Sequence, residues 1–280
     1  SVIFEAGGKK IVFSGDLGSG YSRLTGLPDI PQKADALFIE ATYADDRHSL
    51  NFKDYEVFRK DLIKSVSKGK TVWIPALAFN RTQKVLYEIN LMQKEGLLSK
   101  DIPVYSVSPS ANVMNALYQK EALEKSGGWF LPEVYNGGSV LPKGLRQQMV
   151  RGYDAQMILL SASGDMDYGM SEKLAPVMLA KKDVSVMIVN YVSPQSAAAR
   201  LLSGEYKSKI KSKALVKKYD IFSDHPDFSG ISRWLENQDK DAFIYIIHSS
   251  RQNSLNMKKL LEDAGRSNAS VALERRKITI

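Results

Sequence analysis

From about residue 50 to residue 190 the chain alternates short apolar runs with longer stretches of helical period, and this limits its fold more than any other feature. Thr71 to Pro75, Pro103 to Val107, Met157 to Ser161 and Val184 to Val189 read as buried strands. Asn51 to Lys68 puts Tyr55, Phe58, Leu62 and Val66 on one stripe, and Arg81 to Glu95 carries Val85, Leu86, Ile89 and Met92. Ala111 to Lys125 and Ser171 to Leu179 predict two more helices. Such a βαβ alternation buries its strands as a parallel sheet covered by helices, so the fold class is α/β.

Outside this region, Val2 to Phe4 and Lys10 to Phe13 predict a hairpin turning at Gly7-Gly8, and Ala36 to Glu40 a short strand after a Pro-containing loop. Leu215 to Phe222 and Ala242 to Ile247 predict strands, Asn253 to Ala264 a helix and Val271 to Ile280 a last strand. The 280 residues suffice for one large domain or two ordinary ones. With no cysteine, the chain cannot use disulfides, thiolate-bound zinc or a thiol nucleophile, which fits a reducing, cytoplasmic setting. No apolar run approaches the roughly 20 residues that span a bilayer, so no membrane partner is expected. A net charge of +8, from 39 basic against 31 acidic residues, favours a polyanionic partner.

Four apolar, strand-like runs end in a chemically useful side chain. They are Phe13-Ser14-Gly15-Asp16, Ile39-Glu40-Ala41-Thr42-Tyr43, Phe222-Ser223-Asp224-His225-Pro226-Asp227 and Ile244-Tyr245-Ile246-Ile247-His248. A strand end holds a side chain rigidly while the following loop opens it to a cleft. Asp16 offers two hard oxygens to divalent metal, and as a lone residue it equally suits a turn cap. His248 is a candidate metal ligand or a structural histidine. Glu40 could fix the tautomer of His225 and make it a positioned general acid.

In order, Phe-Ser-Gly-Asp, Glu-x-Thr-Tyr, Ile-Pro-Ala-x-Ala-x-x-Arg-x-Gln, Ser-Gly-x-Met, Ser-x-His-x-Asp and the final strand-His resemble the metallo-β-lactamase fold nucleases of the β-CASP group. The resemblance is collinear over essentially the whole chain. It implies a metallo-β-lactamase αββα sandwich, incomplete at its N-terminus, with an inserted β-CASP α/β domain. The implied boundaries are 1–48 and 196–280 for the first domain and 49–195 for the insertion. It further implies that Asp16 bridges two zinc ions, that His248 ligates one, and that Glu40 orients His225 toward the scissile phosphate. Arg81, at the start of a helix, and Ser161, Ser163 and Gly164, in a small-residue loop, are the implied substrate-binding residues. A histidine at position 248 points to single-stranded RNA as substrate, and a homodimer is compatible with the family.

The chain departs from the family pattern at three places. No His-x-His-x-Asp-His cluster occurs, so Asp16 and His248 are the only ligands the motifs supply, and the chain is expected to be a piece of a longer enzyme, inactive without those ligands. Asn190 to Ser196 stands where the family has Gly-Tyr-Gln-x-x-Gly-Thr, and Ser249-Ser250 follows His248 in place of Gly-Glu. The alternative to a ribonuclease is a noncatalytic RNA-binding or scaffold paralogue; a DNA-repair nuclease is disfavoured by His248. Lys207, Lys209, Lys211 and Lys213 alternate along one stretch, and would either contact an RNA backbone or protect an edge strand.

Overall fold

The computed structural model describes residues 1–19, 23–44, 52–119, 134–140, 142, 144, 156–206 and 212–272. Along the chain the elements run β1 (Val2–Ala6), β2 (Lys9–Phe13), β3 (Ala36–Glu40), α1 (Phe52–Ser67), β4 (Thr71–Pro75), α2 (Arg81–Lys94), β5 (Val104–Ser106), α3 (Pro109–Leu117) and β6 (Ser139–Val140). They continue as β7 (Ile158–Ser161), α4 (Gly169–Leu179), β8 (Val184–Ile188), α5 (Ala197–Leu202), β9 (Leu215–Lys218), α6 (Phe228–Trp234), β10 (Phe243–Ile247), α7 (Arg251–Asp263) and β11 (Ala269–Val271). The chain divides into two compact units, one of Ser1–Leu50 with Asp224–Ile280, the other of Asn51–Ser223.

The first unit holds a five-stranded sheet in the order β1-β2-β3-β10-β11. β1 and β2 form the expected antiparallel hairpin, and the remaining pairs are parallel. On one face Val12, Leu37, Ile39, Ile244 and Ile246 pack with Trp234 of α6 and Met257 and Leu261 of α7. Burying each such side chain contributes about 1.5–3 kcal/mol. Phe13, Phe38 and Tyr245 stack across three neighbouring strands, with ring centroids 4.6 and 5.0 Å apart. These cross-strand contacts lock the register. In that register Ile247 of β10 faces Glu40 of β3, so these two strands end side by side.

The second unit is the predicted helix-covered parallel sheet, ordered β6-β5-β7-β4-β8-β9. All five residues of β4 and all five of β8 are buried, as parallel strands covered on both faces require. Trp73, Met157, Leu159, Val186 and Ile188 meet Leu174 and Met178 of α4 in its core.

The compact unit that contains the expected insertion runs on to Ser223. The reason is strand pairing: β9 runs parallel to β8, with Ser185 opposite Leu215 and Ile188 opposite Lys218, so the chain leaves that unit only after completing its sheet. β9 is the edge strand of that sheet. Of the alternating lysines before it, Lys207, Lys209 and Lys211 lie outside the described residues. So do the far end of the helix expected from Ala111 to Lys125 and most of the strand expected from Val271 to Ile280.

β9 is also tied to α1. Lys217 Nζ lies 2.5 Å from Asp61 Oδ2, and Tyr219 Oη donates to the same oxygen at 2.9 Å. Burial alone would raise the Asp61 pKa, but the bonds from Lys217 and Tyr219 outweigh it and hold the carboxyl below its usual range. A depressed carboxyl stabilises the fold fully above its unfolded pKa, near 3.9, and the gain is lost as pH falls through the folded value. Asp61→Asn is therefore expected to lower the melting temperature by a few degrees at neutral pH, equivalent to about 1 kcal/mol. In a pH series of thermal melts that gap should close below about pH 4. A gap that persists unchanged in acid would show that the ion pair is not its source.

Candidate active site

The carboxyl ends of β2, β3 and β10 adjoin in the first unit, and the candidate residues gather there, where open parallel sheets hold ligands. Past β2 the chain turns through Gly15, whose φ of 57° suits glycine, and presents Asp16 as a half-exposed carboxylate. Ser14 secures this turn: its N–H donates to the Phe38 carbonyl at 2.8 Å, and its Oγ accepts from Glu40 N at 3.0 Å.

Glu40 ends β3 and is only 1% exposed. Its Oε1 accepts from Leu17 N at 2.6 Å, and its Oε2 accepts from Thr42 Oγ1 at 3.1 Å. Oε2 also lies 2.6 Å from His225 Nδ1. These bonds offset the cost of burying a carboxylate and fix its orientation. His225 follows Asp224, whose carbonyl accepts from Gly18 N at 3.0 Å, and precedes Asp227, which caps α6 by accepting from Gly230 N at 3.0 Å. The ring of Tyr43 meets the imidazole edge-on, with centroids 5.8 Å apart. Burial opposes charge on His225, but the bond and charge of Glu40, then the charges of Asp16 and Asp224, outweigh it and raise its pKa. A histidine in that state holds a proton nearer neutral pH, as a general acid needs.

His248 follows β10 with φ 49°, a left-handed conformation uncommon outside glycine. Its carbonyl oxygen lies 3.1 Å from Thr42 Oγ1, sharing that hydroxyl's one proton with Glu40, Ser249 Oγ donates to Ala41 O at 2.8 Å, and Asn253 Nδ2 donates to Thr42 O at 2.7 Å. Held in this way, His248 Nε2 lies 3.6 Å from Asp16 Oδ1. The donor atoms of Asp16, His225 and His248 all lie within 4.8 Å of one another. The Asp16 carboxylate and the His248 imidazole at that spacing suit a zinc ion, with His225, bonded to Glu40, beside them.

In the second unit the sequence-predicted residues are turned largely to internal use. Arg81 is buried and donates to the Val189 carbonyl, tying the start of α2 to the end of β8. Ser161 Oγ accepts from Trp73 Nε1 at 2.8 Å and lies 2.9 Å from Ser171 Oγ. Ser163 is buried, and its hydroxyl makes no hydrogen bond among the described residues. Gly164 lies against Asn190, whose amide would be 2.4 Å from a β-carbon added there, so only glycine fits.

Ser14, Thr42 and Asn190 are supports that no local sequence pattern singles out. Thr42 lies inside the Glu-x-Thr-Tyr motif and Asn190 is a polar residue at a strand end, like the four candidates, but neither feature by itself marks a support.

Residues 82–201 match the Beta-Casp domain, and residues 209–272 match the Zn-dependent metallo-hydrolase RNA specificity domain. The chain thus carries a β-CASP domain followed by a metallo-hydrolase RNA specificity domain. Similar proteins include an RNase J-like protein of Methanocaldococcus jannaschii, 27% identical over 277 residues, which is 91% of this chain and 62% of that protein. A ribonuclease of Thermus thermophilus is 24% identical over 276 residues, 93% of this chain and 62% of its own. Cleavage and polyadenylation specificity factor subunit 3-I of Arabidopsis thaliana is 22% identical over 264 residues, 91% of this chain and 38% of its own. The chain thus spans about 62% of the length of the first two relatives. Among the described residues, no helix of this β-CASP chain is long and apolar enough to cross a membrane.

Proposed function

We propose that this β-CASP protein is a zinc-dependent ribonuclease that hydrolyses phosphodiester bonds of single-stranded RNA. The observation that carries this is the Glu40–His225 pair, with Glu40 at the end of β3 and His225 in the loop before α6, beside Asp16 and His248. The names of two similar proteins, both ribonuclease-like, and the net charge of +8 support RNA as the substrate.

Asp16 and His248 would hold zinc, and the intact enzyme is read as using two ions. Bound zinc supplies Lewis acidity at the phosphoryl oxygens and lowers the pKa of water. The chain's own contribution is the proton. Glu40 accepts from His225 Nδ1, which fixes the ring and leaves Nε2 as the nitrogen that delivers a proton to the oxygen departing from phosphorus. Leu17 N and Thr42 Oγ1 hold the carboxylate still while this happens.

The test is elemental analysis of the intact protein alongside cleavage of an end-labelled single strand. About two zinc ions per chain are expected, with cleavage lost on chelation and regained with zinc. Intact protein that binds the strand but never cuts it, with zinc supplied, would overturn the proposal in favour of an RNA-binding scaffold.

A further inference from the structure

The second unit carries a feature that its buried Arg81, Ser161 and Ser163 do not use. At the carboxyl edge of its sheet, three loops leave the adjacent strands β7, β4 and β8. Each exposes one aromatic ring: Tyr168 is 61% exposed, Phe79 63% and Tyr191 58%. Neighbouring strands lie about 4.8 Å apart, so the three loops that bear these rings are set side by side along one edge.

The loops are braced against one another. Asn190 Oδ1 accepts from Leu77 N at 3.1 Å, and its Nδ2 donates to Pro75 O at 2.8 Å, joining the Phe79 loop to the Tyr191 loop. The Asp165 carboxylate accepts from Ser193 N at 3.1 Å and from Ser193 Oγ at 2.6 Å, joining the Tyr168 loop to the Tyr191 loop. Phe79 meets Tyr118 edge-on, with centroids 6.5 Å apart, and Tyr118 Oη donates to Asn80 Oδ1 at 3.0 Å. Rings left in water on a rigid frame cost free energy unless something covers them.

We propose that Phe79, Tyr168 and Tyr191 form a stacking platform for unpaired nucleobases. Flat π-faces with polar phenolic tips suit bases in a wet interface, and such stacking tolerates any sequence. The nearby acids do not oppose a polyanion as bare charges. Asp165 is engaged by Ser193, while Asp167 accepts from Ala197 N at 2.9 Å and lies 3.7 Å from the Arg200 guanidinium. The whole chain is basic, with a sequence pI near 9.3. The platform rests on the proposal that the protein acts on single-stranded RNA.

The experiment measures binding of a fluorescein-labelled oligoadenylate strand to the intact protein by anisotropy, with cleavage suppressed by Asp16→Asn. Phe79→Ala, Tyr168→Ala and Tyr191→Ala should each weaken binding by about 5- to 150-fold. Phe79→Trp should retain it. The slope of log Kd against log salt should stay unchanged, because no phosphate contact is lost. Binding of a duplex of the same strand should also be unaffected, as should strand binding by Phe243→Ala, which removes an exposed ring of the first unit. Strand binding that survives all three alanine changes would overturn the platform alone, as would an equal loss for duplex and single strand. Failure of the unsubstituted protein to bind the strand would overturn both the platform and the function on which it rests.

Discussion

Glu40→Gln is expected to lower single-turnover RNA cleavage by about 10²- to 10³-fold while leaving zinc content and strand affinity close to those of the unsubstituted protein. The buried carboxylate accepts from Leu17 N, Thr42 Oγ1 and His225 Nδ1 through its two oxygens. An amide has a single acceptor oxygen, so one of these donors must face an NH₂ group. The charge that favours protonated His225 is lost at the same time. Burial then acts with less opposition, and the His225 pKa should fall, which an NMR titration of its imidazole would read directly. His225→Ala should cost at least as much activity, about 10²- to 10⁴-fold, because the proton donor itself is gone. If Glu40→Gln cleaves at the original rate, the pair is structural and the general acid must be sought elsewhere.

Asp16→Asn and His248→Asn should each remove zinc and cleavage together. Loss of a group that merely supports a ligand costs roughly 10- to 100-fold in metal affinity or activity, and loss of a ligand should cost more. Both side chains are 59% exposed, so the metal-free fold should hardly respond, with melting changes in chelator equivalent to about 0.5 kcal/mol or less. Asparagine is chosen at 248 because it tolerates the φ of 49° found there. Elemental analysis, cleavage and thermal melts on the same samples separate the possibilities. Full zinc with lost cleavage would place the residue in substrate handling, whereas normal zinc and normal cleavage would remove it from the site.

Much of the local structure could be read from residue patterns. The parallel character of the second unit followed from the spacing of its strands and helices, and β4 and β7 fall where the apolar runs placed them. Three short pieces left no readable pattern: β6 has two residues, α5 six and α6 seven, too few for a period to show. Aromatic residues near the motifs divided in a way no local pattern could foretell. Trp73 lies in the core, bonded to Ser161, while Phe79, six residues later, stands in solvent. Strand residues are buried by the layers on both sides, whereas a residue in the loop beyond the strand end is covered only if something else in the fold reaches it.

What the sequence determined alone is the set of elements and the chemistry carried at their ends, because helical and strand periods and strand-terminal polar residues are local properties of the chain. Which of those ends meet was decided by tertiary structure. β3 and β10, distant in the chain, pair so that Ile247 stands opposite Glu40, β2 beside β3 brings Asp16, and the loop before α6 delivers His225 to Glu40. The same kind of long-range pairing, β9 onto β8, joins Leu215–Lys218 to the sheet of the second unit. Register between distant strands is selected by which pleat faces can be buried together, and that depends on residues far apart in the chain.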